Sequence, residues 1–490
     1  MKARAPLYCQ KSPATQVYFP VRYISTRGEA PALGFIDVTL AGLARDGGLY
    51  VPESWPAFSS AQIAALAGRP YAEVACEVAR PFVGGTIADA DLARMAHEAY
   101  GTFHHPAVAP LTQLGANTFV LELFHGPTLA FKDLAMQFLA RLMDHALAQR
   151  GERSTIVVAT SGDTGGAAVE AFRGSARVDV IALYPHGRIS DVQRRMMTTH
   201  ANENVHALAI EGTFDDCQAI VKGLFNHHGF RDRVRLSGVN SINWARIVAQ
   251  VVYYFTAAVA LGAPHRKVAF TVPTGNFGDV FAGYVAMRMG LPIERLTVAT
   301  NVNDILVRTL KTGAYEVRGV TATASPSMDI QVSSNFERLL FDAYGRDAAA
   351  VRGLMASLTQ SRQFTIAPKA LDEIRSRFTA ERADEDETAA AIRTTQREAG
   401  HLLDPHTAVA LAVAEKESRD PAVPMVVLST AHPAKFPAAV NAASGITPQL
   451  PDWLGDLHAR PERVTAMPND QGAVEKFITA ASRAAQGVAA

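Results

Sequence analysis

From about residue 117 onward, short β-branched runs alternate with glycine-bearing or polar loops, each followed by a stretch whose apolar residues recur every three or four positions. "TIVVAT" leads into "SGDTGG", "VIALYP" into "HGRIS", "VAFTVP" into "TGNFGD" and "MVVLST" into "AHPAKF". Strand, loop and helix repeated in that order predict parallel sheets with helices on their faces, and ligands at the strand C-terminal ends. Upstream, "DVTLAGLARDGGLYVP", "SSAQIAALAG" and "IADADLARMAHEAYG" predict a mainly helical region. The opening 21 residues are basic and free of acids, and Pro6, Pro13 and Pro20 interrupt any helix, so they read as a poorly ordered extension. "TAERADEDETAAAIRTTQREAG" reads as a charged helix or linker on a solvated face.

One position breaks this pattern. In "LFHGPTLAFKDLAMQFLARLM" a helix is expected from Leu129, with Asp133, Gln137 and Arg141, each four apart, forming its wet stripe. Lys132 is off that stripe and shares a line with Met136, Leu139 and Met143. A lysine there either snorkels its amine to water or is kept dry as a nucleophile.

Composition narrows the class. Forty-seven basic side chains balance 47 acidic ones, which leaves no net field for nucleic acid or an anionic membrane. With 48% hydrophobic and 19% charged residues in 490, a large interior and more than one domain are expected. No apolar run approaches the roughly 20 residues needed to cross a bilayer. Cys9, Cys76 and Cys217 are too few and too scattered for a disulfide framework or a zinc site, which fits a reduced cytoplasm. Cys76 and Cys217 read as small core residues on helices. The pairs His104–His105 and His227–His228 have no third ligand near in sequence, so no metal is expected.

Three loops have the makings of anion sites. In "VAFTVPTGNFGD" a strand ends at Pro273 and a helix starts near Gly278, so that Gly275 and Gly278 let backbone N–H groups converge at the positive end of the helix. In "SGDTGG", Ser161 and Thr164 with their glycines precede another helix and suit a carboxylate or a second phosphate. In "YPHGRISDVQRRMM", Arg188 can fork onto an anion, while Ser190 reads either as a ligand or as the cap of the next helix. A cofactor phosphate, a substrate carboxylate and a substrate phosphate would use all three loops, and the apolar lysine would hold an aldehyde. Pyridoxal 5′-phosphate meets these demands, and its ring supplies an electron sink that side chains lack.

The motifs "YISTRG", "DGGLYVP", "FHGPTLAFKD", "ATSGDTG", "YPHGRIS", "NSINWARI", "PTGNFGD", "ATNVND" and "LSTAHPAKF" resemble, in order, those of the threonine synthase family. That family belongs to the tryptophan-synthase-β, or fold type II, group of pyridoxal-phosphate enzymes. The resemblance runs from about residue 22 into the C-terminal region. It implies an α/β fold of two open, mostly parallel lobes spanning 106–445, a mainly helical N-terminal domain over 22–105 and a C-terminal segment over 446–490. It also implies that Lys132 attaches the cofactor, that Gly275, Asn276, Phe277, Gly278 and Asp279 form its phosphate cup, and that Asn240 meets the ring hydroxyl. Thr430 would face the ring nitrogen with a neutral hydroxyl that does not force it to stay protonated. The loop holding Ser161, Asp163 and Thr164 would receive the substrate carboxylate, with Asp163 standing where relatives often carry asparagine.

The implied reaction converts O-phospho-L-homoserine and water to L-threonine and phosphate, with Lys132 as general base. The expelled phosphate needs a cation of its own, which Arg188 with Ser190 would provide, or else Arg246 in "NWARIVAQ". A phospholyase or amino-acid dehydratase on the same fold would share these loops and stop at elimination. A binding protein would not need Lys132 in "GPTLAFKD". A nucleotide-dependent oxidoreductase would need a G-x-G-x-x-G after an early strand, which is absent. Oligomeric state is not encoded in any of these motifs.

Overall fold

The computed structural model describes residues 19–486. Two separate sheets, each covered by helices, carry the architecture. The larger has the strand order Phe378–Arg382, Ile293–Thr300, Val268–Pro273, Met425–Ser429, Thr118–Glu122, Leu111–Gln113. Its pairs are parallel except the last, where Thr112 faces Val120 across an antiparallel edge. The smaller sheet has the order Thr465–Met467, Val205–Ile210, Val178–Pro185, Ser154–Ala159, Leu236–Ser237 and is parallel throughout. Val178–Pro185 is buried at every position, as expected of a central strand covered on both faces. The chain leaves the larger sheet after Thr118–Glu122, builds most of the smaller one and returns at Val268. Only Thr465–Met467 departs from this order, so the C-terminal segment is not an appendage but the edge strand of the smaller sheet.

The N-terminal region is mainly helical, with helices at Phe35–Ala41, Ser60–Ala64, Tyr71–Val83 and Asp89–Tyr100 and a small antiparallel pair, Tyr23–Ser25 with Tyr50–Pro52. It packs against the buried helix Trp244–Ala260. Trp244 is the hinge point of that contact, its ring 5.9 Å from Tyr23 and 5.8 Å from Phe82. Cys76 and Cys217 are buried and helical, as the sequence suggests, whereas Cys9 lies outside the described residues.

Two expectations from local pattern are overturned. The helix around Lys132 runs Lys132–Arg150, because Leu129 has φ of 59° and ends the preceding turn. Its supposed wet stripe is dry at Asp133 and Gln137, and only Arg141 reaches partly to solvent. The helix is packed against Phe35–Ala41, Asp89–Tyr100, Asp163–Phe172 and Trp244–Ala260, which leave only Arg141, Asp144 and His145 partly exposed before its open end at Ala148–Arg150. Asp133 is buried at no loss of hydrogen bonding, accepting from the Thr128 backbone N–H at 2.7 Å and from its hydroxyl at 2.6 Å. Of the two readings of the charged stretch beginning at Thr379, helix or linker, the helix holds for most of it. Its first residues complete the edge strand Phe378–Arg382. The remainder forms the helix Glu385–Ala399, opened by an Asp384–Glu387 capping box and burying Thr388, Ala391, Ile392 and Thr395.

Candidate active site

A cavity of about 780 Å³ opens where the strands of both sheets end. Phe131 and Lys132 follow Thr118–Glu122, Ser161 follows Ser154–Ala159, Asn240 follows Leu236–Ser237, Thr274 follows Val268–Pro273 and Thr430 follows Met425–Ser429. Strand C-terminal ends are where open parallel sheets bind ligands.

Lys132 is the first residue of its helix and is 9% exposed, so its amine does not snorkel. Burial lowers its proton affinity from the ordinary lysine value, against the pull of Asp163. The nearest carboxylate oxygen, Asp163 Oδ2, is 3.4 Å away.

Across the cavity, Phe277 takes φ of 60° and the helix Gly278–Arg288 begins at once, leaving its first-turn N–H groups without helical acceptors. A Cβ at Gly275 would collide with the Ser327 carbonyl. The cup is braced from outside, since Ser333 Oγ donates to the Gly275 carbonyl at 2.7 Å and Asn335 Nδ2 to the Asn276 carbonyl at 2.9 Å. These features suit a compact anion held by backbone groups. Asp279 Oδ1 accepts from the hydroxyls of Tyr253 and Tyr254, and burial pushes the carboxyl up to about 7 against those bonds.

The "SGDTGG" loop behaves differently. Thr160 Oγ1 already accepts from the backbone N–H of Gly162 and of Gly165, both at 2.9 Å. Ser161, Asp163 and Thr164 all line the cavity, and the Asp163 carboxylate is held there by buried partners. Its Oδ1 is 2.8 Å from Lys435 Nζ and accepts from Gln193 Nε2 at 2.9 Å. Burial works against the charge on Asp163, yet Lys435 and Lys132 outweigh it and hold the carboxyl well below the usual carboxylate range.

The third loop does not reach the cavity. Arg188 is exposed and Ser190 caps the helix Asp191–Thr198, in a box where Gln193 N–H donates to Ser190 Oγ at 3.2 Å. Neither is among the residues lining the cavity. Arg246 is. It is 2% exposed, donates from Nη1 to the Val239 carbonyl at 3.1 Å, and leaves Nε without a partner. Burial drives its guanidinium down to about 10, with only Tyr253 opposing. A buried cation with no carboxylate against it is costly unless an anion arrives to pair with it.

Several contributors were not singled out in the sequence. Lys435 has no exposed surface and pairs with Asp163. His406 lines the cavity, with Nδ1 2.8 Å from Asp404 Oδ1 and Nε2 accepting from the Ser327 N–H at 3.2 Å, which gives "DPHTA" a role in holding the Ser327 turn. Arg27 enters from the N-terminal region, clamped on Glu337 at 3.1 and 3.0 Å. Apolar flanks around Lys435 in "AHPAKF" were the available signal.

A dry lysine facing a backbone-built anion cup across two parallel α/β lobes defines a pyridoxal-phosphate-dependent enzyme of fold type II, and the residues present fit that cofactor. Residues 102–357 match the family described as pyridoxal-phosphate dependent enzyme, 22–100 match threonine synthase N terminus, and 407–478 match threonine synthase, C-terminal. The chain belongs to the threonine synthase family. It is 55% identical to a threonine synthase of Pseudomonas aeruginosa over 94% of this chain and 98% of that one. Among solved structures it resembles the pyridoxal-phosphate-bound threonine synthase of Brucella melitensis, with TM-score 0.92 and 64% identity over 94% of this chain and 100% of that one. It also resembles the yeast threonine synthase, with TM-score 0.88 and 39% identity over 94% of this chain and 98% of that one.

Proposed function

We propose that the chain converts O-phospho-L-homoserine and water to L-threonine and phosphate, and that Arg246 receives the phosphate of the substrate. The observation that carries this reading is the buried guanidinium in the cavity, whose Nε has no partner and which meets no carboxylate among the described residues, separate from the backbone-built cup. The cup of Gly275, Asn276, Phe277 and Gly278, with the backbone of Asp279, would hold the cofactor phosphate. Thr430 and Asn240 would orient the ring, and Ser161 and Thr164 would take the substrate carboxylate. Bound at Lys132, pyridoxal 5′-phosphate supplies an aldehyde and a conjugated electron sink. Once the substrate amine takes its place on the cofactor, the Lys132 amine would take the proton from Cα and then from Cβ, and burial, which lowers its proton affinity, favours the neutral amine for this. Arg246 neutralises the phosphate as it leaves Cγ. A proton returned to Cγ would make the methyl group, water would then add at Cβ as a proton is restored to Cα, and Lys132 would again hold the cofactor. No helix among the described residues is long and apolar enough to cross a membrane, and we place the reaction in the cytoplasm.

Product analysis tests the reaction, and Arg246→Ala tests the phosphate site. Threonine and phosphate should form in equal amounts from phosphohomoserine, and L-homoserine should not react; 2-oxobutyrate with ammonia would replace this reading by a lyase. Losing a charge-assisted bond of about 1.5–3 kcal/mol should lower kcat/KM in Arg246→Ala by roughly one to two orders of magnitude. Cofactor absorbance should persist; its loss would assign Arg246 to the cofactor phosphate instead.

A further inference from the structure

Lys435 sits in the short turn Pro433–Lys435, just past Thr430, and is wholly buried. Its ammonium donates to the Thr128 carbonyl at 2.7 Å and pairs with Asp163 Oδ1 at 2.8 Å. The other oxygen of the same carboxylate, Oδ2, is 3.4 Å from Lys132 Nζ, outside the usual range for such a bond. Asp163 therefore stands between two buried amines and holds the one that does not line the cavity more closely. With Arg246 and Asp133 also near, three cations stand against two carboxylates away from water, and one positive charge is left without compensation. The cheapest relief is for the amine with the longer, weaker contact to lose its proton.

We propose that Lys435 is a positioning residue for Lys132: by occupying the near oxygen of Asp163, it makes that carboxylate its own counter-ion and leaves Lys132 as the proton acceptor of the site. Without Lys435, Asp163 would turn its full charge on Lys132 and hold it as an ammonium. The groups facing Lys132 are Asp163, Lys435 and, from the helix Trp244–Ala260, Arg246. Arg246 acts in the same direction as Lys435. Those facing Lys435 are Asp163, Asp133 and His432. The proposal accounts for an otherwise awkward arrangement, a carboxylate placed beside the very lysine that must give up a proton.

The inference rests on Lys132 as the point of cofactor attachment, and the test separates the two. In the pyridoxal-phosphate-loaded protein, cofactor absorbance followed across pH reports the proton on the Lys132 nitrogen. Lys435→Met should move that midpoint up by roughly 1–3 pH units, the span expected of an opposite charge at close range. Asp163→Asn should move it down, the double variant should return toward the parent, and Lys435→Arg should keep the parent profile. A merely structural Lys435 would lower the yield of folded protein and leave the midpoint in place. If Lys435→Met does not fold, Lys435→Gln, which can still donate to Thr128, replaces it. Equal midpoints in the parent and the uncharged Lys435 variant overturn the proposal, as does an upward shift in Asp163→Asn. Persistence of the cofactor band in Lys132→Ala would instead remove the attachment assignment.

Discussion

The loops "SGDTGG" and "TGNFGD" look like two copies of one device. Each leaves the C-terminal end of a parallel strand, turns on glycines and opens a helix with an aspartate in its first turn. Their aspartates have opposite fates. Asp163 turns into a cluster of lysines and is held ionised far into acid, whereas Asp279 turns onto two tyrosine hydroxyls and is pushed up to about 7. The backbone differs as well, since one loop spends two N–H groups on Thr160 and the other leaves its first-turn groups unclaimed by the helix. A glycine-rich turn thus fixes where backbone donors point, while the protonation and purpose of its acid are set by what distant elements place opposite. Lys435 arrives with the turn after Thr430, and Tyr253 and Tyr254 arrive with the helix Trp244–Ala260.

The contrast can be broken most forcefully at Asp163. Asp163→Ala removes the sole anion between Lys132 and Lys435, and breaking a buried pair from one side costs about 3–5 kcal/mol. A denaturant midpoint lowered by that amount is expected near neutral pH, and an unchanged midpoint would show that the two amines do not depend on it. Asp279→Asn should do the reverse. The native Asp279 carboxyl keeps its proton up to about pH 7, while an unfolded one loses it near 4. Between those values the native state binds more protons, so the parent loses stability as pH rises through the window and levels off above it. The asparagine variant lacks this loss and should be more stable than the parent at pH 8 by on the order of 2–4 kcal/mol, with cofactor still bound. Equal pH profiles for the two proteins would mean that Asp279 is ionised throughout. The smallest effect is expected at Gly275. A methyl there meets the Ser327 carbonyl, a backbone atom that cannot swing aside, whereas at Gly165 it meets the side chains of Met197 and Thr160. Overpacking of about 1–3 kcal/mol should weaken cofactor retention in Gly275→Ala by roughly tenfold or more and spare it in Gly165→Ala. Equal retention by both would move the phosphate out of the cup.

Much of this was visible in one dimension. The runs "TIVVAT", "VIALYP", "VAFTVP" and "MVVLST" became the strands Ser154–Ala159, Val178–Pro185, Val268–Pro273 and Met425–Ser429, because β-branched and apolar side chains between turn residues leave few other solutions. Lys132 was recognisable by standing among apolar neighbours. Asp133 and Gln137 were misjudged because periodicity records only that a residue is polar, and a polar group with internal partners can be as dry as leucine. Arg188 was preferred to Arg246 on local loop chemistry, which cannot show that one guanidinium reaches solvent and the other is walled in. Lys435 was passed over because its bond to Thr128 spans 307 positions, and no window along the chain joins them.

The placement of Thr465–Met467 beside Val205–Ile210 has a consequence for how the chain is made. During vectorial synthesis, the edge of Val205–Ile210 emerges long before its neighbour exists. At about 5–20 residues per second, the interval between them is roughly a quarter of a minute to most of a minute. For that time a hydrophobic strand offers unpaired backbone to any other nascent chain on the same message, a recognised route to aggregation. The last strand is therefore also a cover, and a ribosome that stops early releases a protein with an open seam.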